Sequence, residues 1–209
     1  MNTKPFLFAG LFCVTLLAGL FGITFLETNL PQNGGFEPKP SKHITILPLG
    51  MNLPGGVIKS VYSDIKRFLP GIEIASNKPL PPFAFNKVRA RFRADSLIRW
   101  MSGMAKPDQI LIGITDVDIS TTKDGKQDLG VMGLGFQPGK AAIASNFRMK
   151  NKDQFWKVAI HELGHTSGLT HCPVKTCFMR DAEGGNPTAE EKEFCPKCKS
   201  TLLKQGWRL

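Results

Sequence analysis

From residue 43 onward, short apolar runs alternate with amphipathic stretches. Ile44 to Leu47 is apolar and short enough for a strand. After Gly55 and Gly56, the residues Val57, Val61, Ile65 and Leu69 recur at steps of four. That is the period of a helix with one buried face, and Pro70-Gly71 ends it. Ile72 to Ile74 suits a short strand, and the proline-rich residues 77–86 read as a loop. Residues 94–105 predict a second helix, with Leu97, Trp100, Met101 and Met104 on one side. Residues 109–114 (QILIGI) predict a buried strand by length and β-branched content. Residues 121–130 are polar and read as a loop around Asp124-Gly125. Val131 to Phe136 and Ala141 to Ala144 are expected to be two strands around the turn at 137–140. A helix follows, with Asn151 as its expected N-cap and Gln154 three residues on. Strands and helices intermix, so the pattern predicts an α/β (α+β) layered domain. There are no internal repeats.

The first residues follow a different pattern. From Pro5 to Leu26 the chain carries no charge and is mostly apolar. A bilayer crossing needs about 20 such residues. No small-residue cleavage site follows, so residues 1–26 are expected to be an uncleaved signal anchor rather than a signal peptide. Lys4 precedes the span, which puts the short N-terminus in the cytoplasm and the body of the protein outside it. The protein is thus expected to be membrane-anchored and extracytoplasmic, or secreted or periplasmic if the segment is cleaved. Residues 27–42, rich in proline, glycine and polar residues, read as a linker to a domain at 43–209.

A chain of 209 residues leaves ample length for one core after that segment. The net charge of +10 admits nucleic acid, an anionic membrane or acidic substrates as partners. No long Lys/Arg run exists, and a solvated basic face is the plainer expectation. Lys87, Arg89, Arg91 and Arg93 alternate as in an extended segment with one charged face. No nucleic-acid partner is expected.

Chemistry concentrates at residues 161–171, HELGHTSGLTH, which hold three of the four histidines of the chain. His161 and His165 lie one helical turn apart and can grip one metal ion. Glu162 lies between them, able to reach a metal-bound water as general base. Gly168 permits a positive φ, so the chain can leave the helix sharply and return His171 as a third ligand. Three neutral imidazoles leave a fourth position open, as in catalytic zinc sites. The extended HExxHxxGxxH pattern is far more specific than HExxH alone.

Cys172, Cys177, Cys195 and Cys198 form C-x4-C followed by C-x2-C. Four thiolates at such spacing suit a closed structural zinc site that would brace the loop bearing His171. Two disulfides are the alternative, and a redox-active Cys195-Pro196-Lys197-Cys198 is a third. Between the pairs, Thr188 with Glu191 reads as a capping box after Pro187. The last residues should continue as a helix packed through Leu202, Leu203 and Trp207.

Taken together, HELGHTSGLTHC, CFM at 177–179 and CPKC at 195–198 resemble the archaemetzincins. These are metzincin-type zinc metallopeptidases with an additional four-cysteine zinc site. The resemblance extends upstream through ILPLG, the PLPPFAFNKVRARF segment and ILIGITDVDI. It implies a compact metzincin-like domain with a mixed β-sheet, an active-site helix and a zinc-braced C-terminal helical region. It implies two zinc ions, a catalytic one on His161, His165 and His171 with Glu162 as base, and a structural one on the four cysteines. Met179 matches the methionine of the Met-turn, an apolar floor beneath the histidines. A membrane-spanning N-terminus departs from that family's pattern.

The resemblance also implies a zinc-dependent peptidase, an aminopeptidase among the options, acting on a peptide or protein substrate. In metzincins that substrate pairs with the edge strand of the sheet, for which Val131 to Phe136 and Ala141 to Ala144 are the candidates. Gly133 and Gly135 would let its backbone come close, or else mark a bulge or loop. The only tyrosine, Tyr62, is far upstream, so a tyrosine just after the Met-turn is absent. The rival readings are a catalytically silent zinc-binding scaffold at the membrane and a nucleic-acid-binding zinc module.

Overall fold

The computed structural model describes residues 42–50 and 53–209. The expected span at residues 5–26 and most of the linker lie outside them. Among the described residues no helix is long and apolar enough to cross a membrane.

A five-stranded sheet forms the centre. In chain order its strands are β1 (His43–Pro48), β2 (Glu73–Ile74), β5 (Gln109–Thr115), β8 (Gly133–Gly135) and β9 (Ala141–Ser145). They lie side by side as β2-β1-β5-β9-β8. The first four of that order run parallel, and β8 pairs antiparallel with β9 at the edge. The sheet is therefore mixed, as expected. Helices cover both faces. The helices α1 (Gly55–Lys66) and α3 (Phe155–Thr166) lie on one, and α2 (Ala94–Met104) on the other. This explains why the strands are apolar at successive positions rather than alternate ones. Ile110, Ile112 and Ile114 face α1 and α3, while Leu111 joins Leu47, Leu49 and Ile143 beneath Leu97 and Met101 of α2.

A smaller four-stranded sheet has the order β3-β4-β6-β7. It comprises β3 (Phe85–Asn86), β4 (Arg91–Arg93), β6 (Ile119–Lys123) and β7 (Lys126–Val131). Here the structure corrects the sequence reading. Residues 121–130 are not a loop but most of a hairpin, with Lys123 opposite Lys126. Asp124 and Gly125 take φ of 52° and 72°, the two-residue turn that Asp-Gly favours because it matches strand twist. The polar composition concealed this because β7 is an edge strand with no buried residue. The proline-rich loop also ends in structure, a short 3-10 turn at Pro82–Ala84 and then β3.

The basic run is not a simple solvated face either. Arg91 pairs with Asp118 at 3.1 Å, and Arg93 with Asp95 at 2.6 Å and Asp128 at 2.7 Å. These ion pairs tie β4 to its neighbours.

Two expected caps shift. Asn151 accepts from the N–H of Asp153 and so caps a 3-10 turn, Lys152–Gln154, that leads into α3. Thr188 and Glu191 form no capping box. Asn186 accepts from the N–H and the hydroxyl of Thr188, and Glu191 is buried. The C-terminal helix α4 (Pro196–Leu203) forms as expected, with Leu202 and Trp207 buried but Leu203 exposed.

Candidate active site

Helix α3 is buried along most of its length, including Lys157, Glu162 and His165. It ends in a Schellman motif. The N–H of Leu169 donates to the carbonyl of Gly164 at 3.0 Å, and that of Gly168 to His165 at 2.8 Å. Gly168 sits at φ +88°. A Cβ would be strained there. The chain turns back at this point and delivers His171 to the other two imidazoles. Ring centroids lie 4.7 Å apart for His161–His165, 4.9 Å for His165–His171 and 5.4 Å for His161–His171.

The hydrogen bonds define how each ring is used. Nδ1 of His161 meets the carbonyl of Phe178 at 2.6 Å, and Nδ1 of His165 that of Leu169 at 2.8 Å. A carbonyl only accepts, so both Nδ1 atoms carry the proton and both Nε2 atoms present a lone pair. The two Nε2 atoms are 3.1 Å apart. Nδ1 of His171 lies 3.1 Å from Oδ2 of Asp181. One ligand atom from each histidine falls within 4.8 Å of the others. Burial first, and the neighbouring His165 second, lower His161 to about 3. His165 is lowered too, chiefly by burial. Neutral, lone-pair-bearing imidazoles converging on one point suit a metal such as zinc.

The carboxyl group of Glu162 lies against Gly133 and Gly135 of β8, at the sheet edge. Burial raises its carboxyl to about 8. A Cβ on Gly133 would lie 2.5 Å from Oε1 of Glu162, and one on Gly135 would lie 2.7 Å from its backbone oxygen. These glycines thus exist for the helix: β8 can pass over Glu162 only without side chains at both positions. They mark neither a bulge nor a loop. Among the described residues β9 is inside the sheet and β8 at its edge, so β8 alone of the two candidates has an unpaired side there.

Met179 is wholly buried, and a Cβ at Gly164 would run into its sulfur, so methionine and helix are in close contact beneath the histidines. Its segment is held on both sides. The N–H of Cys172 donates to the carbonyl of Met179 at 2.8 Å, and that of Phe178 to Glu193 at 3.0 Å. Phe178 is further wedged edge-on against Trp156, Phe194 and Phe68.

Behind this segment the four cysteines gather. All are buried and unbonded to one another, with their sulfurs within 4.8 Å. The thiols of Cys172 and Cys195 are 3.7 Å apart, and the N–H of Cys195 donates to the sulfur of Cys177 at 3.3 Å. Burial pushes Cys177 and Cys198 up. Burial also opposes ionisation of Cys195, but hydrogen bonds from Cys198, Cys172 and Cys177 outweigh it and bring that thiol to about 7. Four sulfurs in one dry cluster fit a tetrahedral thiolate site better than two separate disulfides.

Asp181 went unnoticed in the sequence, as did the carbonyls of Phe178 and Leu169. An acidic residue two places after Met179 was the only available signal. Tyr62 stays on α1, where its hydroxyl accepts from Lys66.

The family model for Peptidase family M54 matches residues 51–204. The archaemetzincin of Nanoarchaeum equitans is 31% identical over 134 residues, which are 64% of this chain and 75% of that protein. That of Methanopyrus kandleri is 28% identical over 167 residues, 72% of this chain and 90% of its own. Its crystal structure superposes with a TM-score of 0.67 at 24% identity, covering 81% of this chain and 98% of that one. The archaemetzincin of Archaeoglobus fulgidus gives 0.64 at 23% identity, covering 76% and 98%. The fold is shared with both. The match takes in every strand of the central sheet but β1, together with the histidine helix and the cysteine cluster, and on it this chain belongs to peptidase family M54, the archaemetzincins, a family of zinc metallopeptidases.

Proposed function

We propose that this protein hydrolyses peptide bonds, with a catalytic zinc ion on His161, His165 and His171 and a structural zinc ion on Cys172, Cys177, Cys195 and Cys198. The observation that carries the reading is the pairing of both Nδ1 protons of His161 and His165 with carbonyls, which turns two lone pairs toward His171. Zinc bound there supplies Lewis acidity, activating water and polarising the scissile carbonyl.

The chain's own groups do the rest. Asp181 and the two carbonyls hold the ring planes. The carboxylate of Glu162 takes the proton of the attacking water and passes it to the leaving nitrogen. The charge of a zinc ion held by the histidines would favour the ionised form of this buried carboxyl, against the burial that raises it. Met179 gives the histidines an apolar floor. The free side of β8 offers N–H and C=O groups to an extended peptide, which would add as a further strand. The four-cysteine site braces the segment between His171 and Met179.

The proposal includes anchoring through residues 5–26 with the catalytic domain extracytoplasmic, or a secreted or periplasmic form if that segment is removed. The apolar run and Lys4 support it. No nucleic acid is involved.

The test is cleavage of a diverse peptide library read by mass spectrometry, with Glu162→Ala beside the wild type and zinc content measured on both. New termini from the wild type alone, with equal zinc in both, are expected. Their positions separate aminopeptidase from endopeptidase action. Equal zinc and no wild-type cleavage would leave the silent scaffold as the better reading.

A further inference from the structure

The central sheet has a second feature that hydrolysis does not use. From β1 the chain crosses through α1 to β2 on one side, and then returns through α2 to β5 on the other. The two helices lie on opposite faces of the sheet. The loops leaving the carboxyl ends of β1 and β5 therefore diverge and open a crevice between them. Such switch points are where open α/β sheets bind ligands.

A cavity of about 630 Å³ occupies this place. Gly50, just after β1, and Asp116 to Asp118, just after β5, form its base. None of its lining residues belongs to α3 or to the segment from His161 to Asp181. The volume falls in the range of small-molecule sites.

Its walls mix aromatic and aliphatic side chains with polar groups in comparable area. Phe85 and Phe92 stand with ring centroids 5.0 Å apart, and Phe147 and Leu80 complete the lining. Phe85 and Phe147 are exposed. Two carboxylates reach the cavity, and they differ. Asp118 is matched twice, by Arg148 at 2.8 Å and by Arg91 at 3.1 Å. Asp116 forms no ion pair or side-chain hydrogen bond among the described residues. Its Oδ1 lies 3.8 Å from where a Cβ of Gly50 would be, so it lies beside the glycine at the crevice floor.

We propose that this crevice is a second ligand site, taking an organic ammonium group on an aromatic or similarly bulky apolar body. The ammonium pairs with Asp116, and the body fills the space between Phe85, Phe92 and Phe147. Ring faces there favour a cation as well as an apolar surface. Both a free amine and the amino terminus of a peptide with an aromatic first residue carry this chemistry.

The test uses the full-length protein and ¹⁹F NMR of 4-fluorophenethylamine. Saturable binding is expected, with none for N-acetyl-4-fluorophenethylamine or 4-fluorophenylacetate. Asp116→Asn, nearly isosteric, should weaken binding by about fivefold or more, the scale of one charge pair with a cation–π contribution. Phe147→Ala, at an exposed position, should weaken it without unfolding the chain. His161→Ala, which removes a ligand of the proposed catalytic zinc and leaves the four cysteines intact, should leave it unchanged.

A second arm compares Phe-Ala-Ala amide with its N-acetylated form in the Glu162→Ala protein. Binding of the free peptide but not the amine would assign the site to amino termini, and binding of both would make a free amine sufficient. Binding that survives Asp116→Asn but disappears in His161→Ala would overturn the proposal, since the amine would then be sitting on the metal. Equal binding of amine and carboxylate, or no saturable binding of either the amine or the peptide, would overturn it as well.

Discussion

Replacing Gly133 by alanine should separate activity from stability. The new methyl group would lie 2.5 Å from Oε1, 2.6 Å from Cγ and 2.8 Å from Cδ of Glu162. Ordinary contact between such atoms begins near 3.5 Å, so the Glu162 side chain must move by about 1 Å. A side chain can swing, and the cost in stability should stay near the lower end of the roughly 1–3 kcal/mol for overpacking. If Glu162 is the base, as proposed, it cannot swing freely, because a shift of about 1 Å is worth on the order of 100-fold in rate. Gly135→Ala provides the contrast. Its methyl would meet the backbone oxygen of Glu162 at 2.7 Å. Strand or helix must then give way, and the loss should approach about 3 kcal/mol. Gly103→Ala, on an exposed turn of α2 with nothing within 4 Å, is the control and should stabilise by about 0.5–1 kcal/mol. The assay is kcat on a peptide found by the library screen, with denaturant unfolding on the same samples. A Gly133→Ala protein that keeps wild-type kcat would refute the argument that β8 sets the position of the base.

Three further outcomes follow from the same geometry. Asp181→Asn should loosen the third ligand and weaken zinc at the histidine site by roughly 10–100-fold, measured by chelator competition, while the four-cysteine site holds its metal. If two zinc ions are bound, as proposed, Cys177→Ser, at a wholly buried position, should lower that number toward one and destabilise the C-terminal region, seen by metal analysis and thermal melting; unchanged zinc content would argue against the four-thiolate site. Burial raises Glu191 from 4.5 to about 7, with Lys157 opposing. The folded chain therefore holds a proton that the unfolded chain releases above pH 4.5. This contribution to stability is fully present below pH 4.5 and lost as pH rises to about 7. Glu191→Gln should flatten that slope, gaining about 1–2 kcal/mol over wild type at pH 8 and nothing near pH 4.5; denaturant midpoints at the two pH values that track wild type would contradict it.

Much of the site was legible without a fold because its parts are local. His161 and His165 are one helical turn apart, and Gly168 brings His171 back within a single turn of chain, so residue order alone predicts their convergence. Cys172, adjacent to His171, and the spacing of the other three cysteines belong to the same kind of information. The long apolar strands and the helix periods likewise announce themselves, since burial on one face or two writes a pattern into the chain. Other features arise only when distant segments meet. That Gly133 and Gly135 also leave room for Glu162 shows only once the helix that carries it is seen beneath them. Asp181 becomes a partner of His171 only once the segment bearing Met179 is pinned between Cys172 and Glu193. The polar residues 121–130 become a hairpin because Ile119 to Thr121 find a buried surface that no local window contains. Short-range geometry thus determined which residues can hold a metal. Packing between elements far apart in sequence decided where Glu162 sits, which strand lies at the sheet edge among the described residues, and that a crevice exists at the ends of β1 and β5.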